Sequence, residues 1–446
     1  MLFSRKDLTK IIFPLFIEQL LVITIGMADS MMVSGAGEAA VSGVSLVDTV
    51  SLLLSYIFSA LATGGAVVAA QFIGKKDHDS AMASAKQLIY SVLFVSIIIM
   101  GFALIFRTSI LKLVFGSIDT DVMYSAKSYF LYSALSYPFL ALYNAAAALF
   151  RSMGNSKVSM VASFIMNVVN VIGNAILIYG FNMSVAGAAI ATLISRIVGT
   201  GILIALLHDK HNIIYIEKIF KYRPDFTIIK SILNIGIPSG IENGMFQFGK
   251  ILTQSLVSTF GTYAIAANAV ASTISSFEYA LGTAIGLAMI TIIGRCVGAE
   301  DYNQAKFYAK KLLQIEYVVI IGVCIIITVL LKPIVGIYNL SAESAKLVYQ
   351  LMILHHILIS TIWPFSFTIP NSFRAANDVK YPLIISLISM WLFRVAFSYI
   401  LALWFDLGVL GVWLAMFIDW AFRFILFAIR YARGTWLTKY KAIKTA

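Results

Sequence analysis

Charge is what this chain is short of. Asp, Glu, Lys and Arg make up only 12% of its 446 residues, while 60% are hydrophobic; a soluble domain carries about 25% charged residues. That shortage excludes a chain that turns most of its surface to water. Cysteine is scarce too. Cys296 and Cys324 lie in or beside apolar segments and give no disulfide framework, and with five histidines no Cys/His spacing of a metal motif appears. Short alternating strands are missing, which argues against an outer-membrane barrel. What recurs instead, from one end to the other, is apolar runs of about 20 residues, the length an α-helix needs to cross about 30 Å of hydrocarbon. The class expected is an all-α polytopic membrane protein.

Twelve spans are expected, near 10–34, 46–73, 86–106, 124–150, 157–180 and 185–207, then 231–258, 264–294, 309–331, 346–372, 381–404 and 408–430. The segment 208–230 is the single long hydrophilic connector. It separates an amino-terminal six-helix lobe, 1–207, from a carboxy-terminal lobe, 231–430, followed by a tail at 431–446. The basic start, MLFSRKDLTK, precedes an apolar run that is too long for a signal peptide and lacks a small-residue cleavage site, so it reads as a retained first span. Of the 33 Lys and Arg residues, 24 fall on the side shared by both termini, 5 on the opposite side and 4 within spans. That bias predicts cytoplasmic termini in a plasma (inner) membrane and accounts for the net charge of +12 without a nucleic-acid partner.

The two halves match at a shift of 224 residues. Pro14 pairs with Pro238, Glu18 with Glu242, Gly74 with Gly298 and Asp77 with Asp301; Phe150-Arg151 pairs with Phe373-Arg374 at 223, and Gly187 with Gly411 at 224 again. Each half has six spans, so the repeats are parallel, related by an axis along the membrane normal. Two-lobed transporters of this design hold substrate between the lobes and alternate access by rocking.

Charges at membrane depth cost a few kcal/mol each and need a partner, a cavity or a function. Asp29 lies in the first span, roughly 9 Å below its outer end at 1.5 Å per residue. Asn170 and Asn174 share one face of the fifth span, and Thr192 on the sixth sits at similar depth across the FNMS turn. Together these four offer an oxygen-rich site for Na⁺ or a proton; the alternative is a local cap at Asp29 and helix-binding amides. Pro14 and Pro238 mark helix bends. Glu18 and Glu242, four residues after them, either line a cavity and attract cationic substrate or hydrogen-bond the backbone that the prolines free. Lys250 lies roughly 12 Å along the helix from Glu242, out of pairing reach. Asp419 and Arg423, four apart, read as a structural ion pair. His355 and His356 are adjacent, so at most one is expected to face a cavity. Arg196, Arg394, Glu278 and Glu316 have no assignable partner.

Several stretches together resemble the multidrug and toxic compound extrusion (MATE) transporters: PLFIEQLLVITIGMADSMMVSGAGEAAVSGVSL, TGGAVVAAQFIGKKD, FRSMGNSKVSM, NVVNVIGNAILIYG and VAGAAIATLISR, repeated in IGIPSGIENGMF and NSFRAANDVKYP. The resemblance covers essentially the whole chain. It implies two six-helix lobes exporting organic cations or other amphipathic compounds, driven by inward Na⁺ or H⁺, with no other cofactor and the chain acting as a monomer. It places ion coupling on Asp29, fifteen residues after Pro14, with Asn170, Asn174 and Thr192. Two departures stand out. Asn174 replaces an Asp found in one branch, and the tenth span has no acid, which puts a carboxy-lobe coupling site in doubt. The alternative function is a flippase for a lipid-linked saccharide. An enzyme is not expected, because no acid/base or metal constellation gathers at a membrane face, and a channel lacks its ring of polar residues.

Overall fold

The computed structural model describes residues 2–35, 37–116, 119–217 and 223–440. Everything regular in it is helical. The chain divides into two compact units, one from Phe3 to Gly240 and a second beginning at Ile241.

In the first unit, α1 is Arg5–Ser34, α2 Glu38–Gly74, α3 His78–Phe115, α4 Thr120–Leu135, α5 Tyr137–Ser152, α6 Ser156–Asn174 and α7 Ser184–Leu206. α1 starts at a capping box in which Ser4 and Asp7 satisfy each other's backbone N–H. α2 and α3, at 37 and 38 residues, are about 55 Å long at 1.5 Å per residue, so they outrun the hydrocarbon at their ends. Phe106, the residue of α3 with non-helical φ/ψ, lies where the third apolar run was expected to stop. α1 packs on α6, α6 on α7, and α2 on α3, α4 and α5. Small residues let these backbones close up: a Cβ on Gly173 would stand 3.0 Å from Ala191 Cβ, and one on Gly187 3.0 Å from the Leu177 carbonyl carbon.

α8, Phe226–Ser258, straddles the boundary between the units, which falls at Gly240 and not in the 208–230 connector. Its first turns lie on α2, where Gly64 faces the backbone of Ile232 and Gly236. Residues 218–222 of the connector fall outside the described residues. In the second unit follow α9 Thr262–Gly298, α10 Tyr302–Ile337, α11 Ala342–Ile359, α12 Pro370–Ala375, α13 Lys380–Ile388, α14 Phe397–Tyr399 and α15 Gly408–Arg433, with π-helical stretches at Pro364–Thr368, Ser389–Ala396 and Ile400–Trp404.

Among the described residues, nine helices are long and apolar enough to cross a membrane, eleven when each of two bent pairs counts as one span. The bent pairs are the fourth and tenth expected spans. α4 and α5 meet at 45°, and α11 and Pro364–Ala375 at 66°, in both cases with a proline, Pro138 or Pro364, in the first turn after the break. Proline supplies no N–H to bond back across such a break. The expected span at 231–258 lies on α8, which has the length at 33 residues but not the apolarity, since it carries Glu242, Lys250, Asn243, Gln247 and Gln254. Pro14 and Pro238, the expected bends, sit inside helices that remain continuous through them.

Candidate functional site

α6 is amphipathic in the inverted sense. Its buried residues are Ser156, Ser159, Ala162, Ser163, Asn167, Asn170 and Asn174, whereas Val161, Phe164, Val168, Val171 and Ile172 are exposed. A polar face turned inward and an apolar face turned outward suits a helix solvated by lipid. The structure brings all four proposed ion-coupling residues into one hydrogen-bonded chain along that face. Asn174 Nδ2 donates to Asp29 Oδ1 at 2.5 Å and to Asn170 Oδ1 at 3.1 Å, and Asn170 Nδ2 donates to Thr192 Oγ1 at 3.2 Å. Asn174 is fully buried, and its own Oδ1 has no hydrogen-bond partner. A buried acceptor without a donor is costly unless something positive meets it. Directly after Asn174 the helix widens into a π turn, Ala175–Gly180, a departure common at functional sites.

The same helix also binds α1 structurally. Asn167 Nδ2 donates to the Leu21 carbonyl at 3.0 Å, and Tyr179 OH to the Met32 carbonyl at 3.0 Å. Asp29 thus bonds across helices, from α1 to α6, where a local cap was the alternative, and it stands in the oxygen cluster.

A second acid, Asp48 on α2, escaped the sequence reading. It lies close enough to Asp29 for the two charges to interact, and takes a hydrogen bond from Tyr129 of α4. Its signal was present as an aspartate within an apolar run, VSLVDTVSLLL, but it stands near the start of the run, where a loop acid is equally natural. Arg196 on α7 donates to Ser136 Oγ at 2.5 Å and interacts with both acids. This gives a role to an arginine that had none.

Glu18 and Glu242 do not bond backbone freed by the prolines, and neither is left with a free carboxylate. Glu18 is buried, bound by Arg151 Nη1 at 3.0 Å and Ser159 Oγ at 2.7 Å; Glu242 is buried, bound by Arg374 Nη2 at 2.6 Å and Ser386 Oγ at 2.7 Å. The paired arginines belong to the repeat, Phe150-Arg151 and Phe373-Arg374. Each pair ties the first span of a half to the end of its fourth, and the serine bond ties it to the start of its fifth. In the second unit the network continues: Arg423 Nη1 donates to Ser386 Oγ at 2.9 Å, and Arg423 Nε to Asp419 Oδ1 at 2.8 Å, the expected pair. Arg394 Nη1 stands 3.7 Å from Asp419 Oδ2, and Glu316 takes a hydrogen bond from Thr368 Oγ1 at 2.6 Å. Lys250 of α8 stands near Arg394, a like charge.

The histidines supply the partner that Glu278 lacked in the sequence. Both reach one carboxylate: His355 Nε2 is 2.8 Å from Glu278 Oε2, and His356 Nε2 is 2.9 Å from Glu278 Oε1. Adjacent residues diverge by about 100° around a helix, yet Glu278 fits between the two rings and offers one oxygen to each.

The family model described as MatE matches residues 14–176 and again 238–400, so the two matches stand 224 residues apart and begin on Pro14 and Pro238. The uncharacterized transporter YisQ of Bacillus subtilis is 27% identical over 443 residues, covering 98% of this chain and 95% of that one. A probable multidrug resistance protein NorM of Thermotoga maritima is 26% identical over 449 residues, covering 97% and 93%. Among solved structures, the outward-facing conformation of a multidrug resistance MATE family transporter of the MOP superfamily superposes with a TM-score of 0.90 at 20% identity, covering 97% of this chain and 96% of that one.

Proposed function

We propose that this chain, which belongs to the MatE family of transporters and is not an enzyme, exports amphipathic, cationic organic compounds in exchange for Na⁺ or H⁺ by alternating access. Two supports meet here. The multidrug resistance proteins similar to it match along nearly their whole length, and the part-buried chain from Thr192 to Asp29 gathers a carboxylate, two amides and a hydroxyl in the first unit. The unpartnered Oδ1 of Asn174 carries the reading.

Asp29 takes the positive charge, as a proton or as part of an oxygen shell for Na⁺. Hard cations prefer such oxygen ligands. Asn174 and Asn170 supply carbonyl oxygens and Thr192 its hydroxyl oxygen. A cation on Asp29 competes with the Asn174 N–H that now ties α1 to α6, so occupation of the site acts on the seating of α1. Glu18 and Glu242 set the framework through their arginines. The orientation that goes with this reading has both termini cytoplasmic in the plasma (inner) membrane. The Lys and Arg bias supports it, as does a cleft of about 780 Å³ between the start of α1 and the α5–α6 turn, lined by Arg5, Lys6, Lys10 and Lys157. The chain works as a monomer.

The test is efflux from proteoliposomes with an imposed gradient. Transport driven by a Na⁺ gradient with ΔpH collapsed supports Na⁺ coupling, and transport driven only by ΔpH supports H⁺. Ethidium efflux at the wild-type rate by Asp29→Asn would remove the site from the mechanism. A second reading, a flippase for a lipid-linked saccharide, draws on Lys250 and Arg394, neighbouring cations of the second unit that suit an anionic headgroup. Movement of a fluorescent lipid pyrophosphate between leaflets, without gradient-driven ethidium efflux, would select it.

A further inference from the structure

We propose that Glu278, Cys324 and His356, with His355 beside them, form a zinc-binding site in the second unit that clamps three of its helices. Glu278 lies on α9, Cys324 on α10, and the histidines on α11. One ligand atom each from Glu278, Cys324 and His356 lies within 4.8 Å of the others, and all three residues are buried. Cys324 Sγ is 3.6 Å from Glu278 Oε1. Tetrahedral zinc, with bonds of about 2.0–2.3 Å to N, O and S, separates its ligand atoms by about 3.3–3.8 Å. The set therefore needs its ligand atoms to shift by no more than about 1 Å to accept the ion.

The hydrogen bonding around His356 points the same way. Thr328 Oγ1 donates its proton to the Cys324 carbonyl at 2.6 Å, so at the 2.7 Å contact with His356 Nδ1 it must accept. That fixes the ring N–H on Nδ1. In the neutral ring Nε2 then carries a lone pair, and it faces the Glu278 carboxylate at 2.9 Å. Two lone pairs that close demand a positive charge between them. The approaches are also unaligned as hydrogen bonds, for Glu278 Oε2, His355 Nε2 and His356 Nε2 all lack a hydrogen-bond partner. A metal-ligating histidine usually donates its other ring N–H to an oxygen acceptor, and here the Thr328 hydroxyl takes that place.

Ligand chemistry selects the ion. Nitrogen and sulfur disfavour Na⁺ and suit a borderline-soft divalent cation. A carboxylate and a thiolate neutralise its two charges, which matters in a buried site. Loading releases the Cys324 thiol proton to solvent, so binding weakens as pH falls. Metal motifs are absent from the sequence because the ligands come from three separate helices.

The experiment uses the full-length transporter purified in detergent, loaded with Zn²⁺ or Co²⁺ and passed through a desalting column. The wild type should retain about one Zn²⁺ per chain and, with Co²⁺, show thiolate-to-cobalt charge-transfer absorption with tetrahedral ligand-field bands. Cys324→Ser should lose the charge-transfer absorption, His356→Gln should weaken retention at least about tenfold, and Cys296→Ser should match the wild type. Wild-type protein that retains no zinc, or binds Co²⁺ without thiolate absorption, overturns the proposal and leaves an imidazolium proton between His356 and Glu278. The wild-type measurements decide this even if a variant fails to fold.

Discussion

Asn174 gives both of its amide protons away, one to Asp29 at 2.5 Å and one to Asn170 at 3.1 Å, while its own carbonyl oxygen stays buried and unmatched. The bond to Asp29 crosses from α6 to α1, so a single side chain links the charge on the first helix to the polar face of the fifth span.

Removing that charge should stop coupling without unfolding the chain. Asp29→Asn is expected to lower gradient-driven efflux by more than about tenfold, equivalent to about 1.4 kcal/mol, with unchanged yield and elution in gel filtration. Asn174→Asp adds a second carboxylate to the same shell. It should shift the ion dependence of transport toward Na⁺, read as a lower half-saturating Na⁺ concentration.

The buried pairs predict stability and not transport specificity. Glu242→Gln leaves Arg374, whose side chain is only 12% exposed, beside a neutral partner and should cost roughly 3 kcal/mol, the low end for breaking a buried ion pair. The double variant Glu242→Gln/Arg374→Gln should be less destabilised than the two single variants added together. Thermal unfolding in detergent, followed by tryptophan fluorescence, reads both.

Two glycines should respond in opposite directions. A Cβ on Gly64 would lie 2.9 Å from Gly236 N and closer still to Ile232 O, both backbone atoms that move only with α8. Gly64→Ala is expected to destabilise by about 1–3 kcal/mol through overpacking. Around Gly101 a Cβ meets nothing within 4 Å, so Gly101→Ala should stabilise α3 by up to about 1 kcal/mol through helix propensity. A thermal-shift measurement that ranks the two variants the other way would contradict the seating of α8 on α2.

Acid sensitivity should concentrate at the helix starts. Asp77 caps α3 by accepting from Ser80 N at 3.0 Å, and Asp301 caps α10 by accepting from Gln304 N at 3.0 Å. The hydrogen bonds from Ser80 and Gln304 hold these carboxyls below the ordinary value of 3.8. A carboxyl held low stabilises the fold above its unfolded pKa and loses that contribution as pH falls through the folded one. The wild-type midpoint of thermal unfolding should therefore drop more steeply below about pH 4 than that of Asp77→Asn/Asp301→Asn, which keeps the caps but cannot be protonated.

The helical class, the lobes' repeat and the depth of Asp29 against Asn170, Asn174 and Thr192 were legible because each depends on spacing along one chain. What sequence could not convey was contact between distant helices. Glu18 and Glu242 looked available because nothing in a linear reading links them to Arg151 and Arg374, more than 130 residues away. Asp48 was lost for another reason: apolarity averages over a window, and an acid near the edge of a run looks like loop. For His355 and His356 the helical-face rule was sound, but it omitted a carboxylate wide enough to meet both rings.

The π-helical stretch Ser389–Ala396 carries a last consequence. Between Lys157 and Gly187 there are 30 steps, and between their counterparts Lys380 and Gly411 there are 31; a widened turn is how a helix takes in one additional residue. At a shift of 224, Arg394, inside that stretch, stands where the first half has Asn170, and Thr253 stands where it has Asp29. In register, the carboxy-terminal half therefore carries a covalently tethered cation and a threonine where its twin carries Asn170 and Asp29. Under the proposed function, a guanidinium fixed to the chain cannot be loaded or emptied by a gradient, so the exchangeable cation has its seat in the first unit alone.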